Sequence, residues 1–160
     1  MKKLIIITVV IVLFAQQWCF AEEMKIGYIG LGRVFEVYKK VADSNKDLDK
    51  SKNEVKNMVA DMQKLQDGFD TLSNEAKEER KKEMMARQED VRKRTVEVRK
   101  EEDRILREIL KDIENASSEI RKKKKLTYII DDRLIIDGPK DLDVTNEIVT
   151  LLNERYGKGK

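Results

Sequence analysis

Residues 34–72 read VFEVYKKVADSNKDLDKSKNEVKNMVADMQKLQDGFDTL. Val34, Val41, Leu48, Val55, Met62 and Phe69 stand seven apart, and Val37, Ser44, Ser51, Met58, Leu65 and Leu72 hold a second position three residues after each. All but the two serines are apolar, and neither proline nor glycine falls between Gly32 and Gly68. A heptad repeat with two apolar positions makes a helix with one narrow seam, which packs on another helix and not on a broad core. At a rise of about 1.5 Å per residue this helix is longer than a small domain is wide. The fold therefore turns on where its partner lies.

The partner is downstream in the same chain. Gly68, Asp70, Thr71, Ser73 and Asn74 form a cluster of helix breakers, and an apolar pattern resumes at Ala76 and runs to about Lys125. Met84, Val91, Val98 and Ile105 are again seven apart, after which the spacing tightens to Ile109, Ile113, Ala116 and Ile120. That change of phase is a stutter, which locally unwinds a supercoil. The breakers sit at 68–74, and the midpoint between the flanking apolar runs falls at residue 79, so the reversal is expected within 68–82.

Both ends of this hairpin are β-rich. Lys25–Leu31 (KIGYIGL), Thr127–Asp131 (TYIID) and Arg133–Asp137 (RLIID) read as three short strands, the last closed by Gly138-Pro139. A final helix follows, with Thr145 as its expected cap, Glu147 in its first turn, an apolar face of Ile148, Val149, Leu151, Leu152 and Tyr156, and an end at Gly157. An antiparallel hairpin brings its own ends together, so the strands can share one small sheet. The expected fold class is α+β, mostly α: a long antiparallel helical arm (36–125) on a β-rich body (22–35 and 126–160). Three strands of this length leave exposed edges and are not stable alone. Ile26, Tyr28, Ile29, Tyr128, Ile129, Ile130, Leu134, Ile135 and Ile136 are more apolar surface than such a body hides, so it is expected to be completed by oligomerisation.

The first 21 residues differ from all the rest. Met1-Lys2-Lys3 is basic, Leu4–Ala15 is apolar apart from Thr8, and Cys19-Phe20-Ala21 precedes Glu22-Glu23. This is the pattern of a secretory signal peptide cleaved after Ala21, with an apolar run too short to span a bilayer comfortably. Trp18 beside Cys19 does not suit a lipid-acceptor motif. The address is extracytoplasmic. The sequence has 34 Lys and Arg against 31 Asp and Glu, no His and a single Cys, which lies in that segment. The mature part thus lacks a conventional zinc, haem or iron–sulfur ligand set, a histidine-activated nucleophile and a disulfide. No metal or other cofactor is implied.

Gly30-Leu31-Gly32-Arg33-Val34-Phe35 sits between a strand and a helix, as a dinucleotide-binding loop would. Phe35 stands where that motif needs its third glycine, and no second strand follows for some 95 residues, so a strand-to-helix turn is the better account. Carboxylates and lysines abound, yet nothing gathers them into a pocket, and the chain does not read as an enzyme. Nucleic-acid binding would need a net basic module with interleaved aromatics. Residues 76–104 hold 11 basic and 9 acidic side chains, the composition of a solvated helix face. Arg121–Lys125 is the one unmixed basic block.

KIGYIGLGRVFE (25–36), a polar helical stretch of about 95 residues, TYIIDDRLIID (127–137) and DLDVTNEIVTLLNERY (141–156) together resemble the OmpH/Skp family of periplasmic chaperones over residues 22–160. The resemblance implies a homotrimer whose helical arms surround a cavity and hold unfolded outer-membrane β-barrel proteins without ATP. The mixed charge of the outer arm departs from the strongly basic one it implies. Seam residues would zip the arm, while Met58, Met62, Phe69, Met84, Met85 and Val91 are candidate client contacts, because methionine is flexible and polarizable. Lys77, Arg80, Lys81, Lys82, Arg87, Arg92, Lys93 and Arg94 are candidate electrostatic contacts for acidic clients or an anionic membrane surface. The competing reading is an envelope coiled-coil scaffold or tether with one folded partner.

Overall fold

In a computed structural model, residues 24–159 are described. The expected signal segment and its cleavage position after Ala21 lie outside them. The order is β1 (Ile26–Ile29), α1 (Leu31–Val37), α2 (Lys39–Lys64), α3 (Asn74–Lys123), β2 (Tyr128–Asp131) and α4 (Thr145–Lys158). Helices α2 and α3 are the two limbs of an antiparallel hairpin. Its reversal spans 65–73: a run of turn, a 3₁₀ turn at Phe69–Thr71, and Ser73, whose hydroxyl accepts from Ala76 N and caps α3. Gly68 takes φ 71, which an L side chain adopts only at a cost.

The two limbs are unequal. Helix α3 has 50 residues and α2 has 26, about 75 Å against about 39 Å. The excess carries α3 down past the start of β1, so the chain must turn back before it can enter the sheet. It does so through a Schellman motif: Leu126 N donates to Arg121 O, Lys125 N donates to Lys122 O, and Lys125 sits left-handed at φ 55. Strand β2 then runs parallel to β1, with Ile26 opposite Tyr128 and Ile29 opposite Asp131. A parallel pair requires a long crossover, and the hairpin is that crossover. Leu126 is buried against β1, and a Cβ on Gly27 would lie 2.6 Å from its Cδ1.

Three sequence expectations need correction here. The anticipated third strand at Arg133–Asp137 is absent. The Asp131 carboxylate accepts from Arg133 N and from the Arg133 guanidinium, which curls Asp132–Leu134 into a 3₁₀ turn. Beside β1, Asp143 makes a single parallel bridge to Tyr28. The first limb is not one unbroken helix either: it is interrupted at Tyr38. Asn153 of α4 accepts from Lys39 N and donates to Val37 O, offering both freed backbone groups a partner. Val37, expected on the seam, is 56% exposed as a result. Finally, Thr145 is the first residue of α4 and not its cap. Asp143 Oδ1 accepts from Thr145 N, and α4 continues past Gly157 to Lys158.

The core sits where α4 lies across the base of the arm. Val34, Val144, Thr145, Ile148 and Leu152 are fully buried, joined by Ile29, Tyr38, Val41, Ile109, Ile113, Ala116, Ile120 and Leu126. Tyr38 and Tyr156 meet edge to face at 6.1 Å. Burial, and then the hydrogen bond to Asp112, raise the Tyr38 phenol well above its ordinary range.

Candidate functional site

The arm is fastened across its seam by polar pairs that also fix its register. Lys40 reaches Asp112 at 2.8 Å and Glu108 at 3.6 Å, Lys52 reaches Glu102 at 2.5 Å, and Arg94 reaches Glu54 at 2.6 Å. Nearest the tip, Arg80 donates to Leu65 O at 3.1 Å. Between them runs the apolar seam, and its burial changes along the arm. Val41, Leu48, Val98 and Ile109 are buried. Outward of Leu48 and Val98, no seam residue is: Val55, Met58, Met62, Leu65, Phe69, Leu72, Met84 and Val91 are all half-buried. Two helices with a narrow seam cannot close over their own contacts, and α4 does not reach this far. Met85 stands off the seam at 68% exposure.

Of the six candidate client residues, five (Met58, Met62, Phe69, Met84 and Val91) thus lie half-covered on the distal seam, and Met85 is open. Val59, which the heptad positions do not select, is half-buried beside them. The eight candidate electrostatic residues divide. Lys81 pairs with Glu78, Arg87 with Glu83, Arg92 and Lys93 with Glu89, and Arg94 with Glu54 and Glu97. Arg80 holds the tip. Lys77 and Lys82 make no ion pair within 4 Å among the described residues, although Lys82 adds to the field that lowers the Glu78 carboxyl. The hydrogen bond from Arg92 holds the Glu89 carboxyl below its usual range, and that from Lys81 does the same to Glu78.

At the body, the nine candidate oligomer residues also divide. Ile29 is buried, and Tyr28, Ile129, Ile130 and Ile135 are half-buried, while Ile26, Tyr128, Leu134 and Ile136 are exposed. Ile136 is fully open to solvent, and one edge of β2 has no strand beside it. Around the other end of the sheet, Arg33 ties three segments: it lies 2.8 Å from Asp143 and 3.7 Å from Asp132, and its guanidinium donates to Thr145 Oγ1 at 3.2 Å. Thr145 Oγ1 accepts Gly30 N as well. Burial alone would push the Asp143 carboxyl up, but hydrogen bonds from Thr145 and Arg33 outweigh it and hold it below its ordinary value. This lock places Gly30 and Arg33 in a structural junction and leaves no phosphate cradle. Nothing in the spacing of Arg33, Asp143 and Asn153 marks them in sequence, because each acts through a fold contact more than 100 residues away.

Among the described residues no acidic, His or Cys cluster suits a metal ion, and no helix is long and apolar enough to cross a membrane. A family model described as "Outer membrane protein (OmpH-like)" matches residues 25–152. No curated protein sequence matches the chain. Among solved structures, one described as a candidate outer membrane chaperone (OmpH-like) from Caulobacter crescentus CB15 aligns over 82% of this chain and 85% of its own, at 14% identity and a TM-score of 0.47.

Proposed function

The chain belongs to the OmpH-like outer membrane protein family, and on that premise we propose that it is a periplasmic holdase that keeps unfolded outer-membrane β-barrel proteins from aggregating before they insert. The observation that carries this reading is the distal seam. A run of apolar residues rich in methionine stays half-uncovered along the outer arm, separated by charged side chains that keep the arm itself in solution. Each such residue offers an unfolded segment about half a side chain, ~50 Å², worth about 1 kcal/mol. Many contacts of that size hold a client while letting it move. No ATP is needed: a client that has folded into the bilayer no longer presents flexible apolar segments, so release follows from its folding.

The body supports assembly. The bare edge of β2, with Tyr128, Leu134 and Ile136 exposed, is surface that a monomer does not cover, and a homotrimer whose sheets pool would cover it and set three arms around a cavity. The N-terminal pattern, with cleavage after Ala21, supports delivery to the periplasm. The protein acts by binding, as a partner and not as a catalyst. The test is light scattering of a urea-denatured β-barrel protein diluted into buffer. Equimolar trimer should suppress the signal, and unchanged aggregation refutes the reading. Pull-downs returning one native folded partner would favour the scaffold instead.

A further inference from the structure

Methionine is spread unevenly along this chain. Of its six, Met1 and Met24 lie near the start, and Met58, Met62, Met84 and Met85 all fall on the outer arm. There they occupy the stretch bracketed by the Arg94–Glu54 ion pair and the hydrogen bond from Arg80 to Leu65 O. The base of the same seam is built without sulfur, from Val41, Leu48, Val98, Ile105, Ile109 and Ile113. Leucine matches methionine closely in volume and in helix propensity, so packing and helix formation alone do not call for methionine at the outer positions.

What sulfur adds is chemistry. Oxidation of a thioether to a sulfoxide turns a flexible apolar side chain into a polar one, and exposure governs which methionines react. Met85 is 68% exposed, and Met58, Met62 and Met84 are half-buried. Cysteine would compete for the same oxidant, and the described residues contain none. Position makes the reaction consequential. A sulfoxide oxygen laid against an apolar segment loses its water without gaining a hydrogen-bond donor, which opposes the contact. At the base, where the same change would break the core, no methionine is placed. Met24 is 64% exposed at the edge of the body, outside that core.

We propose that the four outer-arm methionines are a reversible oxidation site that switches client capture off. The inference rests on the holdase reading and adds its regulation. The oxidant is of the peroxide or hypohalous acid class. With hydrogen peroxide, the sulfur lone pair attacks one oxygen and the O–O bond breaks. The second oxygen leaves as water, taking the proton of the oxygen transferred, and sulfur is oxidised by two electrons. A sulfoxide reductase reverses the step: two thiols become a disulfide, and the sulfoxide oxygen leaves as water. The folded base is common to both states.

The experiment treats the mature protein with graded hydrogen peroxide, locates sulfoxides by peptide mass spectrometry, and measures suppression of light scattering from the urea-denatured β-barrel protein. Met85 should oxidise ahead of Met58, Met62 and Met84. The protein concentration giving half suppression should rise about tenfold, while helix content and the urea midpoint scarcely move. Methionine sulfoxide reductases A and B with a thiol should restore the starting value. A variant carrying Met58→Leu, Met62→Leu, Met84→Leu and Met85→Leu should keep its suppression and lose its sensitivity to peroxide, whereas Met24→Leu should stay sensitive. Four results would overturn the proposal: sulfoxides at the four positions with suppression unchanged, a leucine variant as sensitive as its parent, a loss that the reductases do not reverse, or a loss that follows unfolding of the whole chain. Untreated protein that leaves aggregation unchanged would overturn the holdase reading and the switch together, so the untreated sample separates failure of the one from failure of the other.

Discussion

The two halves of the arm carry the same kind of apolar seam and put it to opposite uses. Near the body, Val41, Leu48, Val98 and Ile109 are buried; beyond them, Val55, Met62, Met84 and Val91 are half-open. The side chains are of one kind, and the helices are continuous through the change. At Val41 and Ile109 the difference is the third helix: α4 lies on the base and converts a narrow seam into a three-sided core, while Leu48 and Val98, buried outside that core, are the last covered step before the outer arm. A seam period therefore specifies a neighbour but not its burial, and exposure along the outer arm is a consequence of what the fold omits there.

Truncation should separate the halves most sharply. Ile148→Ala, at a fully buried site under α4, is expected to cost about 3–4 kcal/mol in urea unfolding, whereas Met62→Ala on the outer seam should cost below about 1.5 kcal/mol. Equal losses would break the contrast. Client protection should invert that order, Met62→Ala combined with Met58→Ala weakening suppression of scattering more than any folded base variant does.

Asn153 sharpens the contrast at the point where the limb is broken. Asn153→Ala removes the partners of Lys39 N and Val37 O and should cost about 1–2 kcal/mol, with faster amide exchange at Lys39 and no change at the tip. Gly68→Ala is the converse, a strain of about 1 kcal/mol confined to the reversal, read as faster exchange near Phe69 with the global transition scarcely moved. Acid should also act on the base. Asp143 titrates below its ordinary 3.8 in the folded protein, so its contribution is complete above that value and is lost as pH falls through the lower folded pKa. Asp131, held at about 2 by Arg133, adds to the same window. Asp143→Asn should flatten the acid limb of a stability–pH curve. The smallest effect belongs to the exposed pair Arg94–Glu54: Glu54→Gln should change stability by below about 0.5 kcal/mol.

How much of this was legible in the residues follows the range of the interactions. The heptads of α2, the stutter over Ile109–Ile120 and the breakers around Gly68 are local signals, and the hairpin is read from them. The lost third strand was hidden because Leu134, Ile135 and Ile136 have strand composition, while the Asp131 carboxylate that curls the chain is a single polar atom. The break at Tyr38 was invisible for a related reason: neither glycine nor proline marks it, and its cause is an amide on α4. For the candidate site, spacing puts Met58, Met62 and Met84 on the seam, where they are half-buried, and leaves Met85 off it. That most of the arm's cations are already paired was not legible, since the same i,i+3 and i,i+4 spacings describe both a solvated face and a free one.

The parallel register of β1 with β2 has a kinetic consequence. Ile26 and Tyr128 are about a hundred positions apart, so the sheet closes a very long loop, and such closure is slow when attempted directly. Zippering of the hairpin from Gly68 outward replaces that one improbable encounter with a succession of short ones. Each heptad formed draws the strands nearer, so they are expected to pair last, with hydrogen-exchange protection at Ile26–Ile29 appearing after that of the arm. The arm is, before anything else, the device by which this chain finds its own ends.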